Sequence, residues 1–285
     1  MTDYNGHGTA VASVAGGISQ GVASQANLVI IKFRNAAAQL GVGINQIRSV
    51  TSAALRDAWD YAINDVIARR NNGDTGKFVI NMSYGKVYDQ QMVPGLAVLT
   101  PTTGFARGGP LPTLHELIMD RVIPFAAEND IVVTIPTGND APTSLAMVTP
   151  QNLGTTDNAL ITVAGVERDG SLFTNSNPVL GTGGSITVYA AAREVLVAST
   201  DSDTSTTMLT GTSLASPAVA GMAAYFFSLP ELDANWPQGS IARAMKQFFV
   251  LSARIQRNNN PIPPNLGYAG PASGSVVVAC KSSVV

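Results

Sequence analysis

The chain has 285 residues, 45% of them apolar and 13% charged, so it can bury a sizeable core and is too apolar to be disordered throughout. Its 17 Lys+Arg against 19 Asp+Glu give a formal charge of -2, which leaves no basic field to hold a phosphate backbone, and nucleic acid is not an expected partner. The single cysteine, Cys280, can neither close an intrachain disulfide nor build a cysteine-rich zinc site.

From the N-terminus, Met-Thr-Asp-Tyr-Asn-Gly has neither the charged region nor the apolar region of a signal peptide. The small apolar run after His7 predicts a tightly packed helix. Leu28-Val29-Ile30-Ile31 predicts a strand, and apolar residues at helical spacing from Ala53 to Ile67 predict a helix after it. The alternation continues with a strand at Phe78-Val79-Ile80, a helix over Leu114 to Ala127, and strands at Ile131 to Ile135 and Ala159 to Val166. Strands apolar on both faces and separated by helices imply a mostly parallel sheet covered on both sides, a three-layer αβα architecture.

Lys86 to Pro112, rich in Pro and Gly, is expected as a surface insertion. Leu214 to Leu229 is the longest nearly apolar stretch. It is shorter than the roughly 20 residues of a membrane span and is interrupted by Ser216, Pro217 and Ser228, so it is expected as a buried helix and no membrane partner is expected. A last helix is expected at about Gln238 to Ala253. The expected domain is therefore 1–253, with 254–285 as a C-terminal linker or tail in which Val276 to Ala279 has strand character.

Three places can carry chemistry. His7 lies between Gly6 and Gly8, which let other groups approach its imidazole, although a histidine at a helix start is commonly structural. Ser213 follows Gly211-Thr212 at the start of the apolar helix. There free N-H groups and the positive dipole end favour developing negative charge, and Pro217 near the first turn is expected to cost no essential hydrogen bond. Its ordinary reading is a helix N-cap. Asn139, in Thr137-Gly138-Asn139-Asp140 after the strand Ile131 to Ile135, stands at the carboxyl edge of a central strand, where its amide can donate to an oxyanion or simply form a turn.

Together His7-Gly8-Thr9, Gly138-Asn139 and Gly211-Thr212-Ser213-Leu214-Ala215-Ser216-Pro217 resemble, in order, the His, oxyanion-Asn and Ser motifs of the subtilisin-like serine peptidases, the subtilases. Ile80-Asn81-Met82-Ser83-Tyr84-Gly85 is similar to the family's substrate-pairing strand, and the resemblance runs from about Gly6 to Ala253. It implies a subtilisin-like fold and peptide-bond hydrolysis through an acyl-enzyme. Ser213 would be the nucleophile, His7 the base, and Asn139 with the Ser213 N-H the oxyanion donors, while Ser83, Tyr84 and Gly85 would hold an extended polypeptide. It also implies secretion and a propeptide.

The family's third catalytic group, an Asp in an Asp-(Thr/Ser)-Gly motif on the first core strand, has no counterpart before His7. Asp3 matches no catalytic position of the family and is expected at the surface. The expectation is a sheet lacking its N-terminal strand, a poorly stable and catalytically impaired chain, and an acid supplied by an N-terminal segment or a propeptide-derived partner. A catalytically dead scaffold that binds peptide or protein is the competing reading.

Two other enzyme classes fit worse. Gly211-Thr212-Ser213-Leu214-Ala215 lacks the second Gly of an α/β-hydrolase elbow, and His115, in Leu114-His115-Glu116-Leu117-Ile118, lacks the second His of a zinc peptidase and is expected on a helix surface. Asp201-Ser202-Asp203-Thr204 offers oxygen ligands for the calcium that family members often bind, yet its simpler reading is a solvated turn, so no metal or other cofactor is expected. Asn81-Met82-Ser83 fits the glycosylation pattern, but its place in a substrate-pairing strand argues against modification. Tyr84 and Arg48-Ser49-Val50-Thr51 are candidate pocket borders.

Overall fold

The structure, a computed structural model, describes residues 3, 5–32, 52–84, 86–87, 114–181, 183–233, 239–252, 254–256 and 276–278. Its main sheet contains β1 (Phe78–Asn81), β3 (Ile131–Pro136), β5 (Leu160–Val166), β6 (Val188–Ala191), β10 (Val276–Val278) and β9 (Arg254–Gln256) in that spatial order. All neighbours are parallel except β9 with β10, and the register sets Ile80 beside Val133, Val133 beside Leu160 and Val163 beside Val188. Every residue of β3 and of β5 is buried, which is the reason both read as nearly continuous apolar runs, each interrupted by one buried threonine.

Alternation along β3 divides the core. Val132 joins Ile161, Val163, Ala215, Val219, Met245 and Phe249, the layer built by the helices α5 (Thr212–Phe227) and α7 (Ile241–Ser252). Ile131, Val133 and Ile135 join Leu55, Trp59 and Ile63 of α2 (Ser52–Asn71), and Ile118 and Val122 of the helical segment 114–128. The three layers expected from the apolar pattern are thus present. Among the described residues two short antiparallel pairings lie outside the main sheet: β2 (Lys86–Val87) with β4 (Val148–Thr149), distant in sequence, and the hairpin of β7 (Val195–Ala198) with β8 (Thr206–Leu209).

Several elements differ from the sequence expectation. The helix over 114–128 is not continuous: α3 (Leu114–Leu117) and α4 (Ile123–Glu128) are joined by a π turn, Ile118–Val122. Pro124 has no N-H for the carbonyl of residue 120, and the backbone widens there. Leu28-Val29-Ile30-Ile31 pairs with no strand among the described residues, and Leu28, Val29 and Ile30 are exposed. Apolar character makes a strand only where a neighbour supplies hydrogen bonds, and β1 likewise pairs only with β3 among the described residues. At 254–256 and 276–278, residues expected in a linker or tail extend the main sheet. Most of the 86–112 insertion, Arg48 to Thr51, Gly85 and Cys280 lie outside the described residues.

Lys246 of α7 is buried, and its ammonium donates to three main-chain carbonyls at the entrance to β5: Thr155 at 2.5 Å, Asn158 at 3.0 Å and Leu160 at 2.7 Å. Burial lowers its pKa from 10.5 to about 8, against the attraction of Asp157. Lys246→Met is expected to leave these carbonyls without a donor and cost roughly 1–3 kcal/mol at neutral pH, read by urea unfolding. The folded chain sheds this proton before the unfolded chain does. The stability of the wild type relative to Lys246→Met is therefore flat at neutral pH and below, and rises as pH climbs from about 8 toward 10.5.

Candidate active site

His7 opens the helix α1 (His7–Gly16), entered through Gly6 at φ 78, and Ser213 lies in the first turn of α5. The two helices pack closely. A methyl group on Gly221 would stand 2.5 Å from the Ala15 carbonyl oxygen and 2.8 Å from Val22 Cβ, so only glycine permits this approach. Nearer the N-termini, Ala10 and Val14 share a buried cluster with Leu214 and Val197. Leu214, near the start of α5, thus clusters with Ala10 and Val14, and Gly221, two turns further on, meets Ala15. His7 and Ser213 each stand at the N-terminal end of one of these two packed helices.

The α1 end is held by Asp3. Its Oδ1 accepts the N-H groups of Asn5 and Gly6, and its Oδ2 accepts the N-H and hydroxyl of Thr9 at 2.9 and 2.8 Å. Asp3 is thus not a loose surface residue; it is a half-buried cap of the kind that favours negative charge at a helix start. Burial raises its pKa, and the bonds from Thr9, Gly6 and Asn5 together outweigh that and lower it. His7 is open to solvent on one side, yet the surrounding protein removes enough water to lower its pKa, with the Asp3 charge pulling the other way. The imidazole is consequently neutral at neutral pH and able to accept a proton.

Asn139 follows β3, where the sheet's carboxyl edge meets α5. Its Oδ1 accepts both the N-H of Thr212 at 2.8 Å and the Thr212 hydroxyl at 3.0 Å. Two donors on one atom identify that atom as the oxygen and leave Nδ2 as a donor without a partner among the described residues. The Thr212 hydroxyl also accepts the N-H of Gly138, and Asn177 Oδ1 accepts that of Asp140, so the loop is held on both sides. Gly211, at φ 156, leaves the space between the functional groups: a methyl group there would lie 3.2 Å from Asn139 Nδ2 and 3.3 Å from Ser213 Oγ. Among the described residues the Ser213 N-H has no partner.

Pro217, expected from its place near the helix start to cost no essential hydrogen bond, removes one at the site. It stands inside α5, four residues after Ser213, and removes the N-H that would bind the Ser213 carbonyl. The Ser83 hydroxyl donates to that carbonyl instead, at 2.8 Å. Asn139, Ser213 and Ser83 are thus gathered at one end of the sheet, and His7 begins the helix that packs on α5. Tyr84 is half-buried with its carbonyl taking a bond from Gln151 Nε2, and the side chain of His115 lies outside the described residues. Asp201 accepts the Ser199 hydroxyl, and no group of three or more His, Cys, Asp or Glu converges among the described residues. No described helix is long and apolar enough to cross a membrane. Thr212, Asn81 and Ser216 stand within the motifs that resemble the family's, but the sequence assigns them no role of their own; their hydroxyl or amide chemistry beside Ser213 and Ser83 is the local signal.

The sequence pattern of the subtilase family matches residues 1–270. The chain belongs to the subtilase family. This subtilase is 29% identical over 229 residues to an alkaline extracellular protease of Yarrowia lipolytica, covering 80% of this chain and 41% of that protein. It is 30% identical over 235 residues to the subtilisin-like serine protease Pen c 1 of Penicillium citrinum, covering 82% of this chain and 46% of that one. The chain thus spans less than half the length of these relatives. Among solved structures, a cold adapted subtilisin-like serine proteinase matches with a TM-score of 0.62 at 20% identity, over 98% of this chain and 77% of the other. The prenylagaramide maturation protease PagA matches with a TM-score of 0.63 at 21% identity, over 95% and 80%. These likenesses establish the subtilisin-like αβα fold expected from the motifs.

Gly211→Ala tests the arrangement. The added methyl meets Asn139 and Ser213 in a backbone region that only glycine adopts readily, so a stability loss of about 1–3 kcal/mol is expected in denaturant unfolding. An unchanged midpoint would mean that the loop has freedom the described contacts deny it.

Proposed function

We propose that this subtilase is a serine endopeptidase acting on polypeptides by acyl transfer. The observation that carries the reading is the lock on Asn139, whose doubly engaged Oδ1 leaves Nδ2 as a donor on the Ser213 side of Gly211. Ser213 Oγ attacks the peptide carbonyl carbon, and its proton passes to His7. Asn139 Nδ2 and the Ser213 N-H take the charge that develops on the carbonyl oxygen. Collapse breaks the C-N bond as His7 returns the proton to the leaving amine, and water activated by His7 then releases the acyl group from Ser213. Ser83, Tyr84 and Gly85 bind the substrate's extended main chain.

The acid that orients His7 comes from a segment other than residues 1–285, either an N-terminal stretch or a propeptide-derived partner, which adds a strand. Among the described residues β1 pairs on one side only and the run Leu28 to Ile31 pairs with no strand; both support this, since both offer backbone for pairing. Without that acid the chain is impaired and retains residual reactivity. The name of the Yarrowia relative, an extracellular protease, supports secretion.

A serine-directed fluorophosphonate is expected to label the wild-type chain slowly and to lose its site in Ser213→Ala. Because the His7 pKa is lowered, labelling should hold across neutral pH and fall only in acid below the ordinary histidine range; supplying the missing carboxylate should speed labelling and move that midpoint upward. Asn139→Ala should lower turnover by about 10²–10³, the loss known for the equivalent donor of subtilisin. Peptide binding without labelling, once the acid is supplied, would instead make the protein a binding scaffold.

A further inference from the structure

We infer that Asn81 is a positioning residue for Ser213, acting through a proton-ordered chain that ends on the Ser213 carbonyl. The inference rests on the reading of Ser213 as nucleophile. Pro217 leaves that carbonyl without an intrahelical donor, and the Ser83 hydroxyl takes the role. A hydroxyl has one proton, so Ser83 can give it to Ser213 only if its other neighbour donates to it. Asn81 Nδ2 does so, at 3.0 Å.

The direction of the Asn81 amide is fixed from two further elements. Its Oδ1 accepts the hydroxyl of Thr134 on β3 at 3.1 Å and the hydroxyl of Ser216 on α5 at 2.7 Å. Thr134 and Ser216 are both 0% exposed, so no solvent competes for these bonds. Every proton in the chain therefore points the same way, from Thr134 and Ser216 to Asn81, from Asn81 to Ser83, and from Ser83 to Ser213. The arrangement bolts the first turn of α5 to β1 and β3 at the residue whose Oγ and N-H must both be in place. It also occupies the amide of the Asn81-Met82-Ser83 glycosylation pattern.

Asn81→Asp is nearly isosteric, keeps the acceptor for Thr134 and Ser216, and reverses the next link: the introduced carboxylate draws the Ser83 proton away from Ser213. Ser83→Ala removes the link while leaving the main chain that pairs with substrate. In the native full-length protein, with sites counted by fluorophosphonate titration, each change is expected to lower kcat per titrated site about tenfold with KM within about twofold of wild type. Ser83→Thr, which keeps the donor, is expected to restore most of the loss. A lowered Tm with unchanged kcat per site would make the network a structural staple only, and a raised KM with unchanged kcat would assign it to substrate binding; either result overturns the inference. If wild type is not titrated at Ser213, the nucleophile reading fails and the positioning role fails with it. That outcome is distinguished by appearing before any substitution is made.

Discussion

At Gly221 the backbone of α1 comes so near α5 that a single methyl group would be driven against the Ala15 carbonyl. The site depends on that contact, because two helices packed so closely have little freedom to slide, and their register fixes where each of their N-termini stands. Apolar side chains line the seam: Ala10, Val14 and Leu214 close it toward Val197 of β7. Ser13 adds a polar tie, accepting the N-H of Ala198 while donating to the Ala10 carbonyl. The starts of α1 and α5, where His7 and Ser213 stand, are therefore positioned by packing along the helices behind them.

The opposite wall is polar and belongs to the sheet. Thr212 and Asn139 lock each other, and Asn81 gathers β1, β3 and α5 around one amide. The contrast has a physical basis. Apolar contacts set distance without direction, whereas catalysis by charge stabilisation needs donors aimed at one point, and hydrogen bonds supply that aim. Pro217 links the two devices, since the donor it lacks is the reason a residue of the sheet side can grip the serine at all.

Much of this architecture was readable from sequence, for reasons that differ by element. The strands β3 and β5 announce themselves because burial on both faces demands nearly continuous apolar runs, and His7, Asn139 and Ser213 stand in short motifs whose chemistry is local. Leu28 to Ile31 carries the same apolar signal without strand pairing among the described residues, because pairing depends on a neighbour and not on composition. Long-range polar contacts left no trace at all. Asp130, at the turn before β3, accepts the N-H groups of Gly239 and Ile241 at the start of α7, and Lys246 finds its acceptors on a distant loop. Pro217 was visible, but its effect was not, since that effect depends on which carbonyl loses its donor and which side chain arrives to replace it.

The most direct test is the crystal structure of the fluorophosphonate adduct. The account predicts phosphorus bonded to Ser213 Oγ, with one phosphoryl oxygen accepting from both Asn139 Nδ2 and the Ser213 N-H while Asn139 Oδ1 stays on Thr212. An adduct on another residue, or one at Ser213 whose oxygens point to solvent with the Asn139 amide turned away, would contradict it.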